Sequence, residues 1–509
     1  MRGNRRSLVL ITVDCLRADH VGFLGYERGI TPFLDGLSRE SKIFTNAIVA
    51  GTPTYYSLPA IMASRHPLAL GRDVIGIAPQ EPTLAAVLKS EGYQTGAFLA
   101  ANPYLSARFG YEAGFDTFRD HLDSQSESDQ GQSTNGSRWK KVNRRLANMA
   151  HASGPLRSVY DELYFQYCQR IASAPAESLD QLRRFPSADL IVDEASAWLA
   201  ERGQSPFFLW LHLMDAHSPY YPCDVALQEI SRQPSDAWQA RYLNSYWNRG
   251  DLSPARLKRH RTEIVNLYDA GIRWVDSQVA RLVQNLRRLG DWENCVFALT
   301  ADHGEEFLEH QGRYHPPSNL HEELIRVPLL LRTPDAKTFQ SIAAPFSLIH
   351  FAPTLLAQMN VGSPESFRGI RHVFDQNQSV NRDEAVVVEC IAGCTNPLRK
   401  EMRLGNRIMA LRNFRFKLVI DLGSGEEKLF DLQADPEEKS IAYPRDTGIR
   451  RKLLEVAQHH LRETRRMRDP SLRLSARVRD LRQEQIIVAS RVSLGMSSAS
   501  EQGHVAIHP

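Results

Sequence analysis

The chain has 509 residues, is 42% apolar and 24% charged, and carries a formal net charge of +3. That balance is ordinary for a globular protein, leaves room for one large core plus a smaller domain, and singles out no nucleic-acid partner. Cysteines at 15, 168, 223, 295, 390 and 394 are too scattered for a disulfide framework, and Cys390 and Cys394 lack the spacing and partners of a zinc site.

The first element is the apolar run Leu8 to Val13, which stops at Asp14. A continuous apolar run of this length fits a strand buried on both faces of a parallel sheet. The arginines before it (Arg2, Arg5, Arg6) lead to no small-residue cleavage site, and no later stretch is long and apolar enough for a bilayer. The expectation is a cytoplasmic protein without signal peptide or membrane span. Pro32 opens a helix at a favoured first-turn position. Lys42 to Ala47 reads as extended, Thr83 to Glu91 as an amphipathic helix closed by Gly92, and Thr95 to Ala100 as a strand.

Asp120 to Lys141 is rich in Ser, Gln, Asp and Gly and reads as a surface loop or disordered insertion. Helical patterns follow over Ser158 to Arg184 and Ala188 to Arg202, then a strand over Phe207 to Leu213, a long helix over Ile264 to Leu289, a buried strand over Cys295 to Thr300 and another over Val327 to Leu331. A helix around Pro353 to Met359 closes this run. The alternation predicts a large mixed, mostly parallel sheet flanked by helices. After about residue 380 come short strands, Ala385 to Cys390, Arg407 to Leu411 and Phe416 to Ile420, then a basic helix from Leu453 to Arg466. The division expected is a catalytic region at 1–375 with a polar and helical insertion at about 120–185, a small α+β unit at 376–468, and a tail at 469–509 read as flexible.

Polar residues of catalytic type close three of these strands: Asp14, the Asp215-Ala216-His217 step, and Asp302-His303. Parallel strands share their carboxyl ends, so these groups converge on one sheet edge. Each alone reads as a helix cap or a satisfied polar pair; together they are a donor set for a hard or borderline divalent cation. The stretch Gly51 to Pro59 adds hydroxyls at Thr54 and Ser57 on a helix-opening loop, where free amides favour a cap or an anion. By composition these read as caps rather than nucleophiles. Glu305 and Glu306 read as charges favoured at a helix N-terminus, with support of a ligand histidine as the alternative. Tyr55, Tyr56 and Tyr220 read as packing or as cleft lining, and His350, His459 and His460 as surface or packed residues.

The segments LVLITVDCLRADHVGFLGY (8–26), TPFLDGLSRESKIFTNAIV (31–49), PTYYSLPAIMASRHP (53–67), PFFLWLHLMDAHSPYYP (206–222), LTADHGEEFLEH (299–310), HEELIRVPLLL (321–331) and KLFDLQADPEE (428–438) occur in an order that resembles the sulfatase family, within the alkaline-phosphatase-like superfamily. The resemblance implies an alkaline-phosphatase-like sheet with a smaller C-terminal antiparallel sheet plus helix. It implies a divalent cation (Ca, Mg, Mn or Zn) held by Asp14, Asp302 and His303, with Thr54 as catalytic nucleophile or further ligand. It places His217 and His315 near the transferred group, to bind the anion or protonate the leaving oxygen. A set of Asp215, His217 and His315 as a second metal site is the alternative.

Thr54 stands where the family pattern has the Cys or Ser that becomes formylglycine, Leu58 stands where it has Arg, and Cys15 replaces the second Asp of a common metal motif. The function expected is hydrolysis of sulfate or phosphate esters, the substrate being a small-molecule or glycan- or lipid-linked anionic ester. The alternatives are a phosphodiesterase or phosphotransferase working through Thr54, and a catalytically degenerate anion-binding domain.

Overall fold

The strands β1 (Ser7–Val13), β2 (Lys42–Ile48), β3 (Gln94–Leu99), β4 (Thr117–Arg119), β5 (Phe207–Leu213), β6 (Cys295–Ala301), β7 (Glu306–Phe307), β8 (Arg313–Tyr314), β9 (Arg326–Arg332), β10 (Gln340–Ile342) and β11 (Phe346–Ser347) precede the change of texture near residue 380. The computed structural model describes residues 5–122, 162, 165, 166, 169, 176–203, 205–335, 338–371, 384–442 and 447–466. Most of the expected 120–185 insertion, the 375/376 boundary and the 469–509 tail lie outside these residues.

Among the described residues, β10, β2, β9, β6, β1, β5, β3 and β4 follow one another in that order in a nine-stranded sheet, with β11 added on β2. β1 pairs in parallel with β5 and β6, and β5 with β3. β9 runs antiparallel to both β6 and β2, so the sheet is mixed. Every residue of β1, β5 and β6 is buried, which explains why these strands read as unbroken apolar runs with no alternation. The register sets Val13 level with Leu213 and Ala301, and Leu99 level with His212. The residues following β1, β5, β6 and β3 therefore emerge together.

The helix Arg261–Arg288 covers one side of the sheet with a continuous apolar stripe that includes Ile264, Leu267, Val275, Val279 and Leu286. Gly271 lies on that helix where a Cβ would come 2.2 Å from the carbonyl oxygen of Asp215, so only glycine allows the helix to press on the turn after β5. The expected helix ending at Arg184 is not formed over 176–184, which makes bends and a 3-10 turn at Asp180–Leu182; this stretch carries no apolar stripe at helical spacing.

A second sheet is built from β12 (Val386–Ile391), β13 (Arg407–Arg412), β14 (Phe416–Asp421) and β15 (Glu427–Asp431), all antiparallel. β15 escapes sequence reading because its apolar residues, Leu429 and Phe430, are adjacent instead of alternating. The helix Thr447–Arg466 buries Leu453 and Ala457 against Val387, Met409, Leu411 and Leu418. Glu389 on β12 ties this sheet to the first. Its amide donates to Ala50 at 2.9 Å, and its carboxylate accepts from the Leu68 amide at 3.0 Å and pairs with Arg407 and with His460 at 3.1 Å.

Candidate active site

Asp14 is fully buried at the end of β1. Its carboxylate accepts from Asn102 Nδ2 at 2.8 Å, from the Cys15 thiol at 3.1 Å and from His212 Nε2 at 3.3 Å. Behind His212 the chain of donors continues, since Trp210 Nε1 donates to Thr12 Oγ1 at 3.0 Å and that hydroxyl lies 2.8 Å from His212 Nδ1. Burial alone would raise the Asp14 pKa. The nearby His217, the bond from His212 and the closeness of His303 outweigh it and hold the group well below the usual carboxylate range.

Asp302 and His303 follow β6 on the same edge, and both are fully buried. Oδ1 of Asp302 accepts from the His303 amide at 2.9 Å and the Cys15 amide at 3.3 Å. Its Oδ2 has no well-formed hydrogen bond among the described residues. Burial, and then the charge of Asp14, push the Asp302 pKa up, against His303, His212 and the hydroxyl of Thr54.

His303 Nδ1 lies 2.8 Å from the Gly304 carbonyl. A carbonyl only accepts, so Nδ1 carries the proton and Nε2 presents a lone pair. That lone pair lies 3.7 Å from Asp14 Oδ1, 3.6 Å from Asp302 Oδ2 and 3.2 Å from Thr54 Oγ1. Ligand atoms of Asp14, Asp302 and His303 all lie within 4.8 Å of one another. The donor set and the unbonded Asp302 oxygen fit a divalent cation taking carboxylate and imidazole ligands.

Thr54 is the first residue of the helix Thr54–Ala63, all of it buried, so the hydroxyl is delivered by a rigid element. β2 lies two strands from β6 across the antiparallel β9 and thus runs in the same sense as β6, which brings the loop after it to the same edge. Leu58, one turn into the helix, is fully buried and apolar.

His315 stands beside this group, with Nδ1 3.4 Å from the Cys15 sulfur and 3.5 Å from Glu305 Oε1. Its ring lies 4.5 Å from that of His303 and 5.2 Å from that of His217. Burial would lower the His315 pKa, but the Glu305 charge overrides it and raises it; burial lowers that of His217, against the pull of Asp14. The two histidines are thus pushed apart, one towards the charged form and one towards the neutral form. Cys15 is held as a thiol, its pKa raised by burial and by the charges of Glu305, Asp14 and Asp302.

All six residues expected from the sequence (Asp14, Thr54, His217, Asp302, His303 and His315) meet at this edge. Asp215 does not join them in a second set: its Oδ1 accepts from the Ala188 amide at 3.2 Å, capping the helix Ala188–Glu201. Glu305 and Glu306 open no helix, which corrects the sequence reading. Glu306 lies in β7, where its carboxylate accepts from the amides of His310 at 3.1 Å and Gly312 at 2.8 Å and from Asn319 Nδ2 at 3.0 Å. It thereby folds the loop that carries His315. Asn102 and His212 are the contributors that sequence reasoning misses, while Glu305 supports a histidine, the role given above only as the alternative to a helix-terminus charge. Asn102 follows β3 and obeys the same strand-end logic; His212 is a single polar residue inside an apolar strand.

A cleft of about 490 Å³ opens on Thr54, His217 and His315 and is walled by Tyr55, Tyr104, Phe185 and Met214. Among the described residues no helix is long and apolar enough to cross a membrane.

The family described as Sulfatase matches residues 6–361. An ulvan-active sulfatase of Formosa agariphila is 24% identical over 388 residues, covering 71% of this chain and 63% of that one, hence less than two thirds of its length. An arylsulfatase of Clostridium perfringens is 23% identical over 472 residues, covering 85% of this chain and 89% of that one. Among solved structures, a phosphonate monoester hydrolase of Agrobacterium radiobacter superposes with a TM-score of 0.62 at 16% identity, covering 91% of this chain and 96% of that one. At that identity the likeness concerns the fold, and it agrees with the large mixed sheet and small antiparallel sheet described above.

Proposed function

The chain belongs to the sulfatase family, and from that premise we propose that it hydrolyses sulfate or phosphate esters at the edge where Asp14, Thr54, Asp302 and His303 meet. The observation that carries this is the buried group of Asp14, Asp302 and His303 closing around the Thr54 hydroxyl, 3.2 Å from His303 Nε2. Asp14, Asp302 and His303 would hold a divalent cation, with Thr54 beside it. Such a cation lowers the pKa of a neighbouring hydroxyl or water and offsets charge on the ester oxygens.

The protein's own groups do the rest. Asn102, His212 and Cys15 hold the Asp14 carboxylate in place by hydrogen bonds. Thr54 is the nucleophile, placed at the first turn of a buried helix. It occupies the position at which the family pattern has Cys or Ser; as threonine it offers a hydroxyl but cannot become formylglycine. That substitution, with apolar Leu58 in place of an arginine, moves the balance from sulfate towards phosphate esters. His315, shifted towards its charged form by Glu305, delivers a proton to the leaving oxygen, and His217 lines the cleft beside it. The ulvan-active sulfatase among the relatives makes a glycan-linked ester one natural candidate.

The test is turnover of p-nitrophenyl sulfate and p-nitrophenyl phosphate with Ca, Mg, Mn or Zn, run beside Asp302→Asn. Metal-dependent turnover abolished by the substitution is expected. Turnover that survives it contradicts the site, and no turnover with any ester or metal leaves a degenerate anion-binding domain as the better reading.

A further inference from the structure

Resting on the hydrolase reading above, we propose that Glu389, on β12 of the smaller sheet, is a positioning residue for the Thr54 nucleophile, holding both ends of the segment that carries it. Ahead of the helix Thr54–Ala63, the Glu389 amide donates to the Ala50 carbonyl at 2.9 Å. The Glu389 carbonyl lies against Gly51, where a Cβ would come 2.6 Å from its oxygen, so only glycine lets the segment lie this close. Beyond the helix, the Leu68 amide donates to Glu389 Oε1 at 3.0 Å. A further contact runs from inside the helix to the same sheet: the Tyr55 hydroxyl donates to the Cys394 carbonyl, in the turn after β12.

Glu389 is fully buried, and the chemistry described above does not use it. A carboxylate is costly to bury unless its oxygens are paired. Oε2 is taken by Arg407 on β13 and by His460 on the helix Thr447–Arg466, both packed with the smaller sheet. Burial would raise the Glu389 pKa, but the Arg407 guanidinium and then His460 override it and hold the carboxyl well below the usual carboxylate range. The charge pair thus anchors the carboxylate on the smaller sheet, and Oε1 reaches across to the Leu68 amide. Pro53, which precedes the Thr54 helix, gives it no side-chain cap. The place of the Thr54 hydroxyl, 3.2 Å from His303 Nε2, therefore depends on how the flanking stretches at 50–53 and 64–68 are held. Displacing a reacting group by about 1 Å can slow a reaction on the order of 10²-fold, even when the change is made far from the chemistry.

The test is Glu389→Asp, which keeps a charge beside Arg407 but is one methylene too short to reach the Leu68 amide as well. The full chain, supplied with divalent metal, would be assayed on p-nitrophenyl phosphate and p-nitrophenyl sulfate, with melting curves and calorimetric metal titration. Leu453→Val, run alongside, loosens the packing of the helix Thr447–Arg466 on the smaller sheet and leaves the Glu389 bonds in place. We expect Glu389→Asp to lower kcat at least tenfold, with KM and metal affinity within threefold of wild type, and Leu453→Val to lower the melting temperature with kcat within threefold. Wild-type kcat in folded Glu389→Asp overturns the inference. So does an equal fall of kcat in Leu453→Val, which makes the effect one of stability, or a loss carried by KM or metal affinity instead of kcat. Should Glu389→Asp not fold, Gly51→Ala, which forces the same segment off the Glu389 carbonyl, is judged by the same criteria. Failure of both to fold assigns these contacts to folding alone and overturns the inference. In all these cases wild-type turnover leaves the hydrolase reading standing; an inactive wild type overturns both.

Discussion

Nε2 of His303 faces Oγ1 of Thr54 at 3.2 Å, and the Gly304 carbonyl, 2.8 Å from Nδ1, fixes the tautomer that makes this nitrogen a lone-pair donor. A ligand nitrogen and a nucleophilic hydroxyl are thereby presented together from elements distant in sequence, one after β6 and one at the start of a buried helix. Thr54→Ala removes the hydroxyl without disturbing the ligand set. It is expected to lower kcat on the order of 10³-fold or more, while Thr54→Ser retains activity. Turnover by Thr54→Ala at the wild-type rate, with an unchanged melting curve, would exclude Thr54 as nucleophile.

Glu305 acts through His315. Its carboxylate, 3.5 Å from His315 Nδ1, is the main influence raising that imidazole's pKa against burial. In Glu305→Gln the charged form of His315 loses its support, so the alkaline limb of kcat against pH moves to lower pH. A profile that falls in height without moving would show that Glu305 only shapes the loop.

His310 has no place in the chemistry but links the loop of residues 306–319 to Glu323. Burial works against its charged form. The hydrogen bond to Glu323, 2.7 Å long, prevails and raises its pKa from 6.5 to about 8. A histidine pKa raised by folding stabilises fully below the unfolded value, and this contribution is lost as pH rises through the folded one. The melting-temperature gap between wild type and His310→Gln should therefore be larger at pH 6 than at pH 9. An equal gap at both would show that the pair is not held in its charged form.

Gly271 is a test of how the long helix positions His217. A methyl there would meet the Asp215 carbonyl oxygen at 2.2 Å, so Gly271→Ala must push the helix away from the turn after β5. A loss of about 1–3 kcal/mol is expected from overpacking of this kind, together with a fall in kcat from displacement of His217. Denaturant unfolding and turnover measured on the same preparation check both; full activity with unchanged stability would refute the close approach.

The sheet was legible because β1, β5 and β6 are buried on both faces and leave long apolar runs ending in Asp14, Asp215 and Asp302. The convergence of Asp14, Asp302 and His303 followed from that. His212 was harder to see: its partner Asp14 is 198 positions away, and only the parallel register of β1 and β5 puts them side by side. Glu305 was misread because an acidic pair after a strand end resembles the first turn of a helix. The chain instead folds back through β7 and β8, with Glu306 holding the turn by its carboxylate. Such medium-range closure leaves no periodic trace. The choice of threonine at position 54 was plain in the sequence, yet its bearing on substrate depends on the cleft, which arises from residues far apart in the chain.

The account rests on a divalent cation bound between Asp14, Asp302 and His303, and calorimetric titration of chelator-treated protein with Ca, Mg, Mn and Zn, beside Asp302→Asn, tests it most directly. It predicts about one bound ion per chain in the wild type for at least one metal, and affinity at least tenfold weaker once the fully buried Asp302 carboxylate is neutralised. Equal affinity in the two proteins, or no saturable binding of any of these metals to the wild type, would contradict it.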